Sequence, residues 1–394
     1  MKILFYRYGS ICEPDLMDEF AKLGLDVDTI DVETEKKCIT DSERIDLVNA
    51  KASTGEYLFL FTINFYPVLS NFCNIINLPY VCWVVDAPVP ELFDPAIKNP
   101  CNKVFCFDRK EAEEASLASS GNVYHLPLGT NAARWDKTLE RITAEDIKKY
   151  SSDISFVGSL YTEKDPLSGT APSDYFKGFS DALYSCQKDL QGLNLIHGAI
   201  NPAVLSEIKR LAPDHFKVGE YLINMDEYIA TRRILDFHFA SLDRLNILGE
   251  LSDHFPVDVY TRSDSLNLLN KHPGLKLHDG VTTHVEMPRI FRLSKINLNI
   301  TIRAIETGAS LRIWDILGCG GFLISNYQEE LCELLVPGED FDYYSDLGDL
   351  KEKCAFYLAH EDIRQSIALS GYEKVRKYHT YTNRMPEIFK KILG

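Results

Sequence analysis

Paired cysteines, a long apolar run, a glycine-rich phosphate fingerprint and a surplus of positive charge are all missing from this 394-residue sequence. Its ten cysteines form no CxxC and no Cys/His cluster at zinc spacing, which disfavours a structural zinc site or a disulfide scaffold. Several sit inside apolar runs, as in NFCNII and YVCWVV, where a free thiol packs as a small hydrophobe, so a reducing cytoplasm is the expected setting. The longest apolar-rich run, YLFLFTINFYPVL, falls short of the roughly 20 residues that cross a bilayer. The opening MKILFYRYGS carries one Lys and then an apolar run of only four before Arg7, and is read as a strand rather than an export signal. Lys and Arg number 42 against 58 Asp and Glu, for a net charge of −16. Such a surface repels phosphate backbones and anionic lipid, so nucleic acid is excluded as the main partner, while peripheral membrane contact stays open. A single local positive pocket can still hold one diphosphate.

With 45% hydrophobic and 25% charged residues, the composition is that of a soluble globular chain with room for two to three domains. Short apolar runs at Lys2–Tyr6, 26–30, 57–63, 80–85, 103–107 and 123–126 alternate with helical segments, which predicts a parallel sheet covered on both faces. The turn after the first strand, YRYGSIC, holds one glycine rather than GxGxxG, so a dinucleotide dehydrogenase is disfavoured. A polar helix over 139–150 leads into DISFVGSL, a fresh buried strand, where the domain boundary is placed. The second half repeats the alternation, with a strand expected at 193–197 and a long helix from 224 to 252. Two such halves predict a ligand cleft between them.

Four segments carry candidate chemistry. In DISFVGSLYTEKD, Gly158 ends a strand where backbone N–H groups can approach an anion, with Lys164 adding charge; a plain turn is the simpler reading there. In NITIRAIETGASLRIWDILGCGGFLIS, Glu306, Thr307 and Gly308 precede a helix that Ser310 is expected to cap. Arg303 and Arg312 flank it as phosphate ligands, and Asp315 is placed to accept ribose hydroxyls. In HDGVTTHVEMPRIFRL, Thr283 and Glu286 read as a capping box, and the Gly280–Val281 backbone is free to meet a nucleobase edge. In LPYVCWVVDAPVP, Asp86 stands at a strand's C-terminal end, the ligand edge of open α/β sheets; an Asx-turn is an equal reading. His125 is read as a core or rim histidine.

The runs VGSLYTEKD, GVTTHVEMPRIFRLSKINLNIT and ETGASLRIWDILGCGGFLISN, with the ending HEDIRQSIALSGYEKVRKYHTYTNRM, resemble the CgeB-type (spore maturation protein-like) branch of the group 1 glycosyltransferases. The stretch FTINFYPVLSNFCNIINLPYVCWVVDAP resembles the domain of unknown function that often precedes it. The resemblance implies an α/β GT-B fold: a Rossmann-like acceptor domain over 1–150, a nucleotide-sugar domain over 151–375, and a C-terminal helix, 376–394, packing back on the first. It implies that Asp315 holds the ribose and that Glu306, or Thr307 in strict register, contacts the donor sugar. Eight residues separate Glu306 from Asp315 where the family has seven between two glutamates. Lys164 matches the diphosphate lysine, Ser159 stands where an arginine is expected, and Arg312 or Arg303 is the expected replacement. Asp86 falls where relatives place a histidine and is the expected base of an inverting transfer.

The expected activity is transfer from a nucleotide-diphosphate sugar, a UDP-sugar first, to a glycan, protein or small-molecule acceptor. No cofactor or metal is expected, because Asp26-Val27-Asp28 and Asp340-Phe341-Asp342 are poorly placed as metal motifs and arginine, lysine and helix N-termini can stabilise a leaving diphosphate. Two rivals remain: a sugar-nucleotide epimerase of the same fold, and a non-catalytic nucleotide-sugar or glycan-binding module.

Overall fold

The computed structural model describes residues 1–216 and 218–393. The chain forms two compact units, one of residues 1–129, 218–225 and 381–393, the other of 130–216 and 226–380. The first holds strands β1 (Lys2–Tyr6), β2 (Asp26–Ile30), β3 (Leu60–Ile63), β4 (Tyr80–Val84), β5 (Asn102–Cys106) and β6 (Val123–His125). The second holds β7 (Ser152–Val157), β8 (Val257–Tyr260), β9 (Lys276–His278), β10 (Ser294–Asn299), β11 (Leu323–Asn326) and β12 (Asp342–Tyr344). Every pairing is parallel, in the orders β2-β1-β3-β4-β5-β6 and β12-β11-β10-β7-β8-β9.

Parallel strands buried on both faces need apolar residues at successive positions, and β3, β4 and β8 are buried throughout. In the first unit Phe5 meets Phe20 and Phe61 edge-on, and Phe389 of the helix Tyr381–Leu393 closes on Phe20 and Phe59. In the second, Ile154, Phe156, Val257, Val259, Ile296, Leu298 and Ile324 form one core with Leu248, Leu251, Leu350 and Ile367 from the covering helices. Strand order reverses between β1 and β3 in one sheet and between β7 and β10 in the other. At such a switch the loops leaving neighbouring strands diverge, and the crevice above their C-terminal ends is where this architecture takes ligands.

Three local expectations are corrected. The first unit ends at Gly129 rather than at 150, because the helices Ala132–Leu139 and Ala144–Tyr150 pack on the second unit. There Trp135 stacks on His284 and the Tyr150 hydroxyl donates to Glu286 at 2.9 Å. The strand expected at 193–197 is instead a single tight turn, Ile196–Gly198. Side chains take two of its central donors: Gln187 accepts from the Leu195 N–H at 2.6 Å and Asn194 from that of Ile196 at 3.0 Å, which withholds both from a ladder. The reciprocal bonds to Glu286 come from Thr282 rather than Thr283, with Thr282 N to Glu286 Oε2 at 3.0 Å and Glu286 N to Thr282 Oγ1 at 3.3 Å. They hold the Glu286 carboxyl down at about 2, backbone bonding from Thr282 being the largest cause. Among the described residues, no helix is long and apolar enough to cross a membrane.

The helix Glu361–Tyr378 packs tightly at Gly371, where a Cβ would overlap the carbonyl oxygen of Asp340 and press Leu317 Cδ2 at 3.0 Å. Gly371→Ala is expected to destabilise the protein by about 1–3 kcal/mol through overpacking, despite alanine's better helix propensity. Urea denaturation followed by circular dichroism measures this, and an unchanged midpoint would contradict the close packing.

Candidate functional site

The switch point of the second sheet is tied by Arg244. Its guanidinium donates to the Ser159 carbonyl, beyond β7, at 2.6 Å and to the Ile300 carbonyl, beyond β10, at 2.7 Å. Tyr161 and Phe156 cover it, with ring centroids 4.5 and 5.6 Å away, and burial pushes its pKa down. Gly158 bonds through its N–H to the Tyr260 carbonyl at 3.0 Å, and Ser159 Oγ accepts from Tyr161 N at 2.8 Å while donating to Glu163 at 2.7 Å. Ser159 thus shapes the loop that an arginine was expected to charge. Lys164 is exposed, with its ammonium 4.8 Å from the Tyr161 ring.

The loop beyond β10 is held in two ways. Ile302 and Ala304 pack on Phe237 and Ala240, and Thr307 Oγ1 donates to Glu330 at 2.7 Å while its carbonyl accepts from Glu330 N at 3.1 Å. Glu306 pairs with the buried Arg232, with His197 Nδ1 at 3.9 Å. Gly308 is buried behind it. Arg303, expected on phosphate, is instead committed to Asp243, at 2.9 and 3.2 Å, and to the Leu190 carbonyl at 3.2 Å. Its side chain is only 9% exposed, because a cation this deep requires its own counterion.

The helix Leu311–Gly318 follows. Ser310 has the extended backbone of an N-cap, φ −62° and ψ 155°, but its hydroxyl makes no capping bond, against expectation. Its Oγ is buried and has no hydrogen-bond partner in the protein, although Ser, Thr and Asn at other starts, such as Ser173, Asn201 and Thr143, do cap. Arg312, in the first turn, lies over the Phe291 ring at 5.5 Å and against Met287 Sδ, with a quarter of its side chain exposed; desolvation lowers its pKa. Asp315 is buried, accepts from Thr130 Oγ1 at 3.1 Å and lies 4.0 Å from Arg312. An unsatisfied hydroxyl and a part-exposed guanidinium therefore stand at one helix N-terminus, an arrangement suited to an anion.

Gly280 and Val281 line a separate pocket of about 870 Å³ with Tyr150, Tyr260, Arg262, His278 and Glu286. His278 stacks on Tyr260, centroids 4.3 Å apart, and bonds Asp258 at 2.7 Å. A side chain at Gly280 would collide with Arg262, so the backbone there is kept close to the pocket wall.

In the first unit, Asp86 lies beyond β4, exposed, and its Oδ2 accepts from Asn64 Nδ2 at 2.7 Å and from the Tyr8 hydroxyl at 3.4 Å. Tyr8 follows β1 and Asn64 follows β3, the two strands of that switch point. Asn64 has a left-handed φ of 60°, which asparagine tolerates, and its Oδ1 accepts from Val85 N at 3.0 Å. Burial first, then the Asp86 charge, raise the Tyr8 phenol. Three of the four carboxylates in the two DxD motifs are otherwise engaged: Asp28 with Lys51 and Tyr57, Asp340 with Lys374, and Asp342 with the Tyr357 hydroxyl. Arg244, Arg232 and the open hydroxyl of Ser310 escape sequence reading. Their partners lie far along the chain, and an arginine amid apolar helical residues carries no local signal.

The two Rossmann-like units have the GT-B fold, as solved glycosyltransferase structures do. Residues 232–390 match the model of a family described as glycosyl transferase-like. An uncharacterized protein of Aquifex aeolicus (strain VF5) is 21% identical over 93% of this chain and 89% of its own length. Among solved structures, the fold is shared with sucrose-phosphate synthase of Thermosynechococcus elongatus, at 12% identity, covering 100% and 99% of the two chains with a TM-score of 0.59. It is also shared with Alr3699/HepE of Anabaena in complex with UDP and glucose, at 11% identity, 99% of each chain and a TM-score of 0.55. The T4 phage beta-glucosyltransferase matches at 9% identity, over 100% and 99%, with a TM-score of 0.52.

Because Ser310 makes no cap bond, Ser310→Ala is expected to leave thermal stability unchanged. Thr143→Ala, which removes a reciprocal capping box, should cost about 1 kcal/mol. Thermal melts of both variants compare the two hydroxyls directly.

Proposed function

We propose that this glycosyltransferase takes its sugar from a nucleotide diphosphate, a UDP-sugar first, and transfers it to an acceptor hydroxyl without a metal ion. The observation that carries the reading is the buried, unpartnered Ser310 Oγ at the start of the helix Leu311–Gly318, beside Arg312. A diphosphate would satisfy the hydroxyl and the first-turn N–H groups, and the helix dipole and guanidinium would stabilise the charge that grows as the sugar leaves. Lys164, exposed beside Tyr161, is proposed as the second cation. Asp315 is proposed at the ribose, Gly280 and Val281 at the base, and Glu306 at the sugar. The Anabaena HepE structure with UDP and glucose supports the choice of donor. The CgeB-type branch is proposed on the motifs of residues 153–165 and 299–325.

Asp86 is proposed as the base of an inverting transfer. Asn64 and Tyr8 leave its carboxylate exposed but fixed, as proton removal from an attacking hydroxyl requires. Asp86→Asn is expected to cut turnover at least ~100-fold, with UDP affinity unchanged. An Asn variant with wild-type turnover, or a product with retained anomeric configuration, would remove this role.

Arg312→Ala and Ser310→Ala are expected to weaken UDP binding by about tenfold or more while uridine binding changes little, since each hydrogen bond to a charged group contributes about 1.5–3 kcal/mol. Calorimetry with both ligands, with and without EDTA, makes the test. Equal losses for UDP and uridine would contradict the phosphate role, and a requirement for metal would contradict the metal-free reading.

A further inference from the structure

The helical segment that carries Arg232 departs from α geometry. Between Met225–Tyr228 and Asp236–Ser252, residues Ile229–Leu235 form a wide turn with i→i+5 bonding, a form that is rare and frequent at functional sites. Arg232, in this turn, reaches Glu306 on the loop beyond β10. Asp236, where the turn ends, is fully buried: its Oδ1 accepts from Asn194 Nδ2 at 3.1 Å and its Oδ2 has no partner. The same Asn194 lies 3.5 Å from the Arg303 carbonyl and from His197 Nε2. One turn and one loop thus bring two carboxyl groups to a shared set of cations at the base of the proposed sugar site.

We infer that Arg232 and Asp236 are positioning residues for Glu306: Arg232 holds the carboxylate toward the donor sugar, and a proton on Asp236 keeps that pairing intact. This rests on the donor-site reading above. The charged groups that act on Asp236 are Arg232 on its own helix and Arg303 and Glu306 on the loop beyond β10. Asp243, a further turn along the helix, is taken up by Arg303, and His197 stands between Asn194 and Glu306. The helix Pro202–Leu211, which also packs on the wide turn, keeps Glu207 and Arg210 in a pair of their own.

Desolvation pushes Asp236 up to about 7, with the Glu306 charge adding to the rise and the Asn194 bond and the two arginines opposing it. Below that pH, Asp236 is neutral and does not compete with Glu306 for Arg232. Above it, a second carboxylate repels Glu306 and competes for the guanidinium, so affinity for the sugar falls. The stability sign is the same. A carboxyl whose pKa rises on folding contributes stability that is full below its unfolded value and is lost as pH climbs toward 7.

The test measures UDP-glucose affinity by calorimetry at pH 6 and pH 8, since its diphosphate diester does not titrate in that range. UDP binding at pH 8 serves as the check on the donor site. Wild-type affinity for UDP-glucose should fall about tenfold between the two, following the protonated fraction of one group. Asp236→Asn, neutral at every pH, should abolish the fall, and its melting temperature should gain on wild type from pH 4 to pH 8. Arg232→Ala should lose the preference for UDP-glucose over UDP at both pH values, and Arg232→Lys should restore part of it. A flat wild-type profile, a fall that persists in Asp236→Asn, or one abolished by His197→Gln alone would overturn the inference while leaving UDP binding intact. Absence of UDP binding in the wild type would overturn the donor-site reading and this one together.

Discussion

The second unit depends on one buried guanidinium. Strands β7 and β10 are neighbours whose following loops run apart, and nothing in the sheet ladder holds those loops once the strands end. Arg244 bridges them through the carbonyls of Ser159 and Ile300, with Tyr161 and Phe156 excluding water from the bridge. A buried arginine is costly unless its donors are used, and here two backbone acceptors use them. Its Nε remains unsatisfied, so the bridge is retained at some expense in stability. Without it, the loop carrying Lys164 and the loop carrying Glu306 would lose their common anchor.

Charge follows the same logic across this acidic chain of net charge −16. The pairs Arg303–Asp243 and Arg232–Glu306 are both largely buried, where desolvation offsets most of the attraction. Such pairs contribute little net stability but are destabilising to break, so they serve mainly to fix where loops go. Both fasten the stretch between β10 and the helix Leu311–Gly318 to the long helix behind it. Lys164 and Arg312 keep exposed area beside these loops, and the proposed donor site assigns them to an anion that arrives from solvent. A protein that repels polyanions over its whole surface can still bind one small dianion there, since screening confines the repulsion to about 8–10 Å.

The sheets were legible because a strand buried on both faces needs consecutive apolar residues, as in Lys2–Tyr6, Tyr80–Val84 and the run ending at Val157. Glycine and asparagine then mark where those strands stop, so the site loops could be placed to within a few residues. Pairing was not legible. Arg303 and Arg312 stand nine residues apart with similar surroundings in sequence, yet one is held close by Asp243 and the other keeps a quarter of its side chain exposed, 4.0 Å from Asp315. That difference is decided by a helix sixty residues upstream, and no local pattern reports it. The strand misread at 193–197 failed for a related reason: Gln187 and Asn194 captured its backbone donors, a competition that β propensity does not register. Ser310 was read as a cap because its neighbours fit one; only the geometry shows the hydroxyl left over.

The two switch points are built alike and finished with opposite polarity. In the second unit the tying group is a donor: Arg244 takes up two carbonyl oxygens, and the Ser310 hydroxyl is left as an open function of the edge. In the first, the tying group works from both ends of an amide. Asn64 Oδ1 takes the Val85 N–H, and Asn64 Nδ2 steadies the carboxylate of Asp86, which leaves an acceptor as the open function. The left-handed backbone at Asn64 is what turns its amide across β4, a conformation that a β-branched residue would resist. An edge finished with donors suits a leaving diphosphate, and an edge finished with a fixed carboxylate suits a hydroxyl that must lose its proton. The polarity of each edge therefore follows from which backbone groups its own tie consumes, before any side chain meets substrate.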